Sequence, residues 1–198
     1  ALEQQRTLLV SPTGSGKSLI IYTLLRYYLN KLPPDKKILI IVPTTSLVSQ
    51  MMSDFRDYAE KCDWSVDDNC HYIMSGQEKT TDKRIVISTW QSIHREHEKF
   101  FKDFHCVFGD ECHLFKAKSL TGIMTKLKNC DHRIGTTGTL DGSQTHKLVI
   151  EGLFGLVKNV TTTKKLMDKD LLSRLKIDCL LLGYNKESCK ENKRAKYI

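Results

Sequence analysis

Eight residues, Ser11-Pro12-Thr13-Gly14-Ser15-Gly16-Lys17-Ser18, constrain this 198-residue chain more than any other segment. An apolar run, Thr7-Leu8-Leu9-Val10, precedes them, and a helical pattern led by Leu19-Ile20-Ile21 and Leu24-Leu25 follows. Strand, glycine-bearing turn and helix, in that order, is the setting of a phosphate-binding loop. Gly14 and Gly16 permit backbone angles that turn successive N–H groups toward one anion. The helix behind them brings the positive end of its dipole to the same place. In such a loop Thr13, Gly14, Ser15 and Gly16 line the phosphates. Lys17 reaches the β and γ phosphates, and the Ser18 hydroxyl ligates Mg²⁺. The general pattern opens on glycine, whereas this chain has Ser11 there. A Gly/Ser turn that merely starts a helix is the competing reading, and the rest of the chain weighs against it.

Short apolar runs alternate with amphipathic stretches. Segments 6–11, 37–43, 84–89, 105–110, 132–139 and 176–184 are rich in Ile, Leu and Val and read as buried strands. Helical spacing of Leu47, Val48, Met51, Met52, Phe55, Tyr58 and Ala59 predicts a helix over 44–62. Segments 90–104 and 119–129 are shorter helix candidates, and Pro33-Pro34 ends the first helix. Alternation of this kind implies right-handed crossovers and a mainly parallel sheet covered on both faces. The expected fold is therefore α/β, with three layers. Ligands of such sheets bind beyond the carboxyl ends of the strands.

A second acidic motif stands at such an end. After the predicted strand come Asp110-Glu111-Cys112-His113. Two carboxylates closing a buried strand are costly unless a cation lies nearby, and Mg²⁺–ATP on the phosphate loop supplies one. Asp110 would hold Mg²⁺ through its water shell. Glu111 would orient and deprotonate the water that attacks the γ-phosphate. Taken alone, the pair could simply complement a helix dipole. Paired with Gly-Ser-Gly-Lys-Ser, it favours nucleotide hydrolysis.

Charge and cysteines narrow the setting. The formal net charge is +8, and the stretch from Val157 to Ile198 carries 11 Lys/Arg against 5 Asp/Glu, six of those eight charges. A basic balance suits a polyanion such as nucleic acid, and a solvated surface explains it equally well. Seven cysteines without a Cys-x-x-Cys pair read as free thiols in a reducing, cytoplasmic compartment, rather than as disulfides or a zinc site. No apolar run approaches the ~18 residues of a membrane span.

Motif by motif, the chain resembles the superfamily-two helicases of the Asp-Glu-x-His branch. Pro43-Thr44-Thr45-Ser46-Leu47-Val48-Ser49-Gln50 is similar to that family's motif Ia, and Ile87-Ser88-Thr89-Trp90-Gln91 to motif Ib or its neighbour. Thr136-Thr137-Gly138-Thr139 stands where the family carries motif III, with Gly138 and Leu140 in place of the common Ala and Pro. Several phrases look most like recombination-and-repair helicases of tailed phages, which implies a phage-encoded protein acting inside its host cell. The resemblance implies a RecA-like P-loop NTPase lobe over 1–184, using ATP and Mg²⁺ with Glu111 and Lys17 as its catalytic residues. It implies a charged linker over 185–198 that leads to a second RecA-like lobe, since nothing in the chain resembles that lobe's arginine-bearing helix.

It further implies DNA as partner, with RNA–DNA hybrids as a second candidate. Thr44 and Thr89, then Trp90 and Gln91, would hold nucleic acid. Thr137, Thr139 and His113 would couple hydrolysis to strand movement. A core role is the stronger reading of Trp90 from its chemistry alone. The chain by itself is expected to bind ATP weakly, hydrolyse it barely and leave duplexes unopened. Two other functions share these motifs: a double-strand DNA translocase, and a nucleotide-gated nucleic-acid clamp.

Overall fold

The computed structural model describes residues 4–74, 76–115, 117–140, 144–173 and 178–180. Its strands are β1 (Arg6–Val10), β2 (Lys37–Val42), β3 (Cys70–Ile73), β4 (Ile85–Thr89), β5 (Phe104–Gly109), β6 (His132–Thr137) and β7 (Val157–Asn159). They form one sheet in the order β3-β4-β2-β5-β6-β1-β7, parallel throughout. The helices are α1 (Lys17–Lys31), α2 (Thr45–Ala59), α3 (Val66–Asn69), α4 (Trp90–Ile93), α5 (Glu98–Phe101), α6 (Ala117–Lys126), α7 (Gln144–Phe154) and α8 (Thr163–Asp168).

Central β2 shows why the sheet is covered on both sides. Ile38, Ile40 and Val42 point into one core with Ile21, Leu25 and Tyr28 of α1 and Val48, Met51 and Phe55 of α2. Leu39 and Ile41 point into the other, with Leu120, Ile123 and Met124 of α6 and Ile150 and Phe154 of α7. Alternation along a strand buried on both faces yields a continuous apolar sequence and two separate cores. The result is the expected three-layer α/β architecture with its parallel sheet.

Two arginines close helix ends at the amino rim of the sheet. Arg84 donates to the carbonyls of Leu29, in the last turn of α1, and of Leu32 and Pro33 just after it. Arg133 donates to those of Met124, in the last turn of α6, and of Leu127 and Cys130 just after it. Cationic donors at these carbonyls satisfy groups the helices leave open.

The expected helix over 90–104 is instead two single turns, α4 and α5. Lys126 Nζ donates to the carbonyls of His94 and Glu96, and the His97 ring accepts from Lys99 N–H to begin α5. Side chains thus take the backbone groups a continuous helix would have used. Strand β6 stops at Thr137, two residues before the expected end. The expected strand over 176–184 falls mostly outside the described residues, and its described part, 178–180, is not a strand. The linker expected over 185–198 lies wholly outside them.

Behind the acidic motif the packing is close. Gly109 and Gly135 are register partners on β5 and β6. A Cβ would lie 2.7 Å from Phe154 Cζ at position 109, and 2.7 Å from Leu8 Cδ1 and 2.9 Å from Phe154 Cγ at position 135. The Cys112 side chain fills the space beside both glycines. Burial pushes its thiol well up, so it remains S–H and donates to the Gly109 carbonyl at 3.0 Å.

Candidate nucleotide site and nucleic-acid rim

The phosphate loop joins β1 to α1 as its sequence implies. Gly14 and Gly16 take φ of 77° and 81°, the left-handed region where a Cβ is strained. Gly16 is the N-cap of α1 and gives that helix no side-chain cap, which suits a helix end that receives an anion. Ser11, which replaces the usual glycine, is buried and donates to Ser15 Oγ at 2.7 Å, while its N–H reaches the Thr137 carbonyl at 2.9 Å. It is not among the positive-φ residues, so glycine is not required there. Leu172, beyond α8, packs against the loop: its Cδ2 would be 2.9 Å from a Cβ on Gly14.

Lys17 meets the acidic motif directly. Its Nζ lies 3.1 Å from Glu111 Oε1, with the two side chains 10% and 20% exposed. Gly138 N–H donates to Glu111 Oε2 at 3.3 Å. A Cβ on Gly138 would stand 3.6 Å from Thr13 Oγ1, 3.7 Å from Lys17 Nζ and 3.9 Å from Glu111 Oε2. Thr13, Lys17, Glu111 and Gly138 therefore converge on one point beyond β1, β5 and β6. Glu111 itself adopts φ 46°, ψ 50°. Holding a non-glycine residue there costs on the order of 1 kcal/mol, a strain typical of functional positions.

Asp110 sits deeper, at 8% exposure. Its Oδ1 accepts from Thr136 Oγ1 at 2.6 Å and from Glu111 N–H at 3.0 Å. Burial raises its carboxyl above the ordinary range, and the adjacent Glu111 adds to that, against the lowering effect of the Thr136 hydrogen bond. Lys17 offsets this in part, and a buried carboxylate beside a second carboxylate still gains from a divalent cation. The donor set fits hydrated Mg²⁺ and a triphosphate: open helix N–H groups, one lysine, and two hard oxygen ligands.

The Ser18 hydroxyl lies 2.9 Å from the Tyr58 hydroxyl on α2. As a metal ligand it remains a proposal.

The three residues expected to couple hydrolysis to strand movement form a chain of contacts. Thr137 Oγ1 donates to the Thr139 carbonyl at 2.7 Å and lies 2.7 Å from His113 Nδ1. A hydroxyl has one proton, so His113 Nδ1 must be the donor to Thr137, which fixes the tautomer. His113 Nδ1 is also 3.5 Å from Glu111 Oε2. Thr139 enters through its carbonyl.

Further along the same rim, Pro43, Thr44, Thr45, Thr89, Gln91 and Ser92 line a hollow of about 320 Å³ beyond β2 and β4. Thr44 Oγ1 accepts from Leu47 N–H as the N-cap of α2, and Thr89 Oγ1 accepts from Ser92 N–H as the N-cap of α4. Gln91 Nε2 donates to the Pro43 carbonyl and ties the two loops together. Trp90 packs half-buried on the core and edge-on to His94. The threonine pair and Gln91 thus share one concavity, while Trp90 serves the core beside it.

Residues 2–142 match the family described as "Type III restriction enzyme, res subunit". The chain belongs to this family. It is also 36% identical over 186 residues to the ATP-dependent DNA helicase uvsW of Enterobacteria phage T4. That alignment covers 94% of the chain and 37% of the phage protein. The crystal structure of the UvsW helicase from bacteriophage T4 superposes with a TM-score of 0.69 at 37% identity, over 78% of this chain and 54% of that one. The helicase domain of Pyrococcus furiosus Hef shares the fold, with a TM-score of 0.65 at 18% identity, over 79% and 35% of the two chains. The chain thus spans little more than a third of the phage protein's length. This res-subunit family member has the N-terminal RecA-like lobe of the superfamily-two Asp-Glu-x-His helicases, as its motifs imply.

Sequence reasoning missed Tyr58, Thr136, Cys112 and Leu172 at the site. Thr136 had a signal, because it opens the Thr-Thr-Gly-Thr segment directly beside the acidic strand. Tyr58 read as one more apolar position of an amphipathic helix, and Leu172 had no signal at all.

Proposed function

We propose that this chain is the ATP-binding lobe of an ATP-dependent DNA helicase. The contact between Lys17 and Glu111, with Thr13 and Gly138 beside it, carries the reading. Thr13 to Ser18 hold the phosphates of ATP. Ser18 and Asp110 hold Mg²⁺, which when bound neutralises charge on the phosphates. Glu111 orients the attacking water and takes its proton, and Lys17 steadies the transferring phosphoryl group. His113, Thr137 and Thr139 link that base to the rim where Thr44, Thr89 and Gln91 hold the backbone of a single strand without reading its sequence.

A second RecA-like lobe completes the motor by supplying the arginine that such reactions use, a contribution of about 10³–10⁵ in rate. DNA is the substrate proposed, in keeping with the basic net charge and the phage relative. The test is titration of a fluorescent ATP analogue with Mg²⁺ into the chain and into Lys17→Ala. Saturable binding that the substitution abolishes is expected. Equal binding by both proteins defeats the reading.

A further inference from the structure

We propose that Tyr58 is a positioning residue for Ser18, tying the magnesium side of the nucleotide site to the helix that faces nucleic acid. The inference rests on the nucleotide-site reading above. Ser18 stands in the first turn of α1, and Tyr58 in the last turn of α2. Their hydroxyls are 2.9 Å apart, and either can be the donor.

The Tyr58 ring is held in place from both helices. It lies 5.5 Å from the ring of Tyr22, one turn beyond Ser18 on α1. Tyr22 in turn lies 5.4 Å from Phe55 of α2, and its hydroxyl accepts from Arg26 at 2.9 Å. A phenol fixed this way presents its oxygen to Ser18 at little further entropic cost.

The chemistry of a hydroxyl decides what Tyr58 does. Serine has one proton and two lone pairs. When Ser18 donates its proton to Tyr58, both lone pairs stay available to a hard cation, which takes oxygen ligands. When Ser18 accepts instead, one lone pair is lost to the cation. With magnesium bound, Ser18 is the donor and Tyr58 the acceptor.

Helix α2 adds a second consequence. Its N-cap, Thr44, lines the rim hollow, and Tyr58 stands at its other end. The 15-residue helix is a rigid rod about 22 Å long. Nucleic acid at one end and the ion at the other therefore act on one body.

The experiment titrates Mg²⁺ against the affinity of a fluorescent ATP analogue for the 198-residue chain, its Tyr58→Phe and Ser18→Ala variants, and the double variant. Phe keeps the ring against Tyr22 and removes only the oxygen. Tyr58→Phe should weaken the magnesium-dependent part of the affinity by about 2–10-fold, the worth of one hydrogen bond. Binding without magnesium should be unchanged, and Tyr58→Phe should add nothing once Ser18 is Ala. If Ser18→Ala weakens magnesium-dependent binding and Tyr58→Phe does not, the inference falls while the nucleotide site stands. Additive losses, or a loss already present without magnesium, also overturn it. A Ser18→Ala protein with unaltered magnesium dependence overturns both the inference and the site reading beneath it.

Discussion

Lys17 Nζ and Glu111 Oε1 meet at 3.1 Å, although β6 separates the strands that deliver them. Gly138, the residue after β6, fills the gap and donates its N–H to the other oxygen of Glu111. On the proposed reading Glu111 is the general base, and here it is paired with the lysine that a γ-phosphate would claim. Arrival of that phosphate would draw Lys17 away and free the carboxylate for a water molecule. In the complete two-lobed protein, Glu111→Gln should accordingly lower single-turnover phosphate release by at least about 10², the lower bound for a general base. Binding of the ATP analogue should persist or tighten, because Lys17 loses its competing partner. Sustained phosphate release from the Gln variant removes Glu111 from that role.

Asp110 predicts a pH dependence. Its carboxyl is raised by burial, so the folded, metal-free protein binds its proton more tightly than the unfolded chain. That contribution to stability is fully present below the ordinary carboxylate pKa and is lost as pH rises through the raised value. Asp110→Asn removes the charge and should raise Tm at neutral pH by about 2–4 °C, the effect of 1 kcal/mol in a domain of this size. The gain should shrink toward pH 4. Melts of both proteins across that range, without magnesium, are the measurement. A variant less stable than the parent at pH 7 contradicts it.

Two glycines should respond oppositely to alanine. At Gly138 a Cβ meets its neighbours at ordinary contact distance, and the residue is not in the left-handed region. Gly138→Ala, which restores the family's common residue, should add about 0.4–1 kcal/mol through the unfolded chain and retain nucleotide binding. Gly155 has φ +102°, and a Cβ there lies 2.7 Å from the Arg6 carbonyl oxygen. Gly155→Ala should lose at least about 1 kcal/mol, since both strain and collision oppose it. Denaturant midpoints of the two variants report the contrast.

The segments legible in advance were those with a chemical or periodic signature. Gly14, Gly16 and Lys17 fix a loop by backbone angle and charge, and β2 declares itself by six successive residues, five of them apolar. The edge strands did not. Cys70-His71-Tyr72-Ile73 and Val157-Lys158-Asn159 are short and half polar because only one side of each is paired. Helix α7 has a weak pattern because it buries Ile150 and Phe154 while leaving Leu148 exposed. The break between α4 and α5 depends on Lys126, which reaches carbonyls distant in sequence and leaves no local trace. Tyr58 was hidden for the same reason.

The coupling chain makes a separate prediction. Thr137 Oγ1 accepts from His113 Nδ1–H and donates its own O–H to the Thr139 carbonyl. Thr137→Val keeps the shape and removes both bonds, at a cost of about 0.5–1.5 kcal/mol each, because half-buried His113 and exposed Thr139 can turn to water. Thr137→Ser keeps both. Affinity for the ATP analogue should be similar in the two variants, since neither bond touches the phosphate loop. The change in nucleotide affinity on adding single-stranded DNA should survive in Ser and vanish in Val. Equal responses in both variants rule out this route between the two sites.

The rim hollow poses a subtler question, because Thr44 and Thr89 are helix caps as well as proposed phosphate contacts. Thr44→Ala removes a cap worth about 0.5–2 kcal/mol, so weaker DNA binding by that variant has two explanations. Thr44→Ser keeps the cap and the hydroxyl and should match the parent in both Tm and DNA affinity. Gln91→Ala separates the causes: it caps nothing, but its amide ties the Pro43 carbonyl to the β4 side of the hollow. It should weaken single-strand binding several-fold at nearly constant Tm. The slope of log affinity against log salt should stay as in the parent, because no cation is removed. Fluorescence anisotropy of a labelled oligonucleotide across a salt series measures both quantities. Unchanged affinity in Gln91→Ala, together with a parent affinity indifferent to salt, places the nucleic-acid path elsewhere on the molecule.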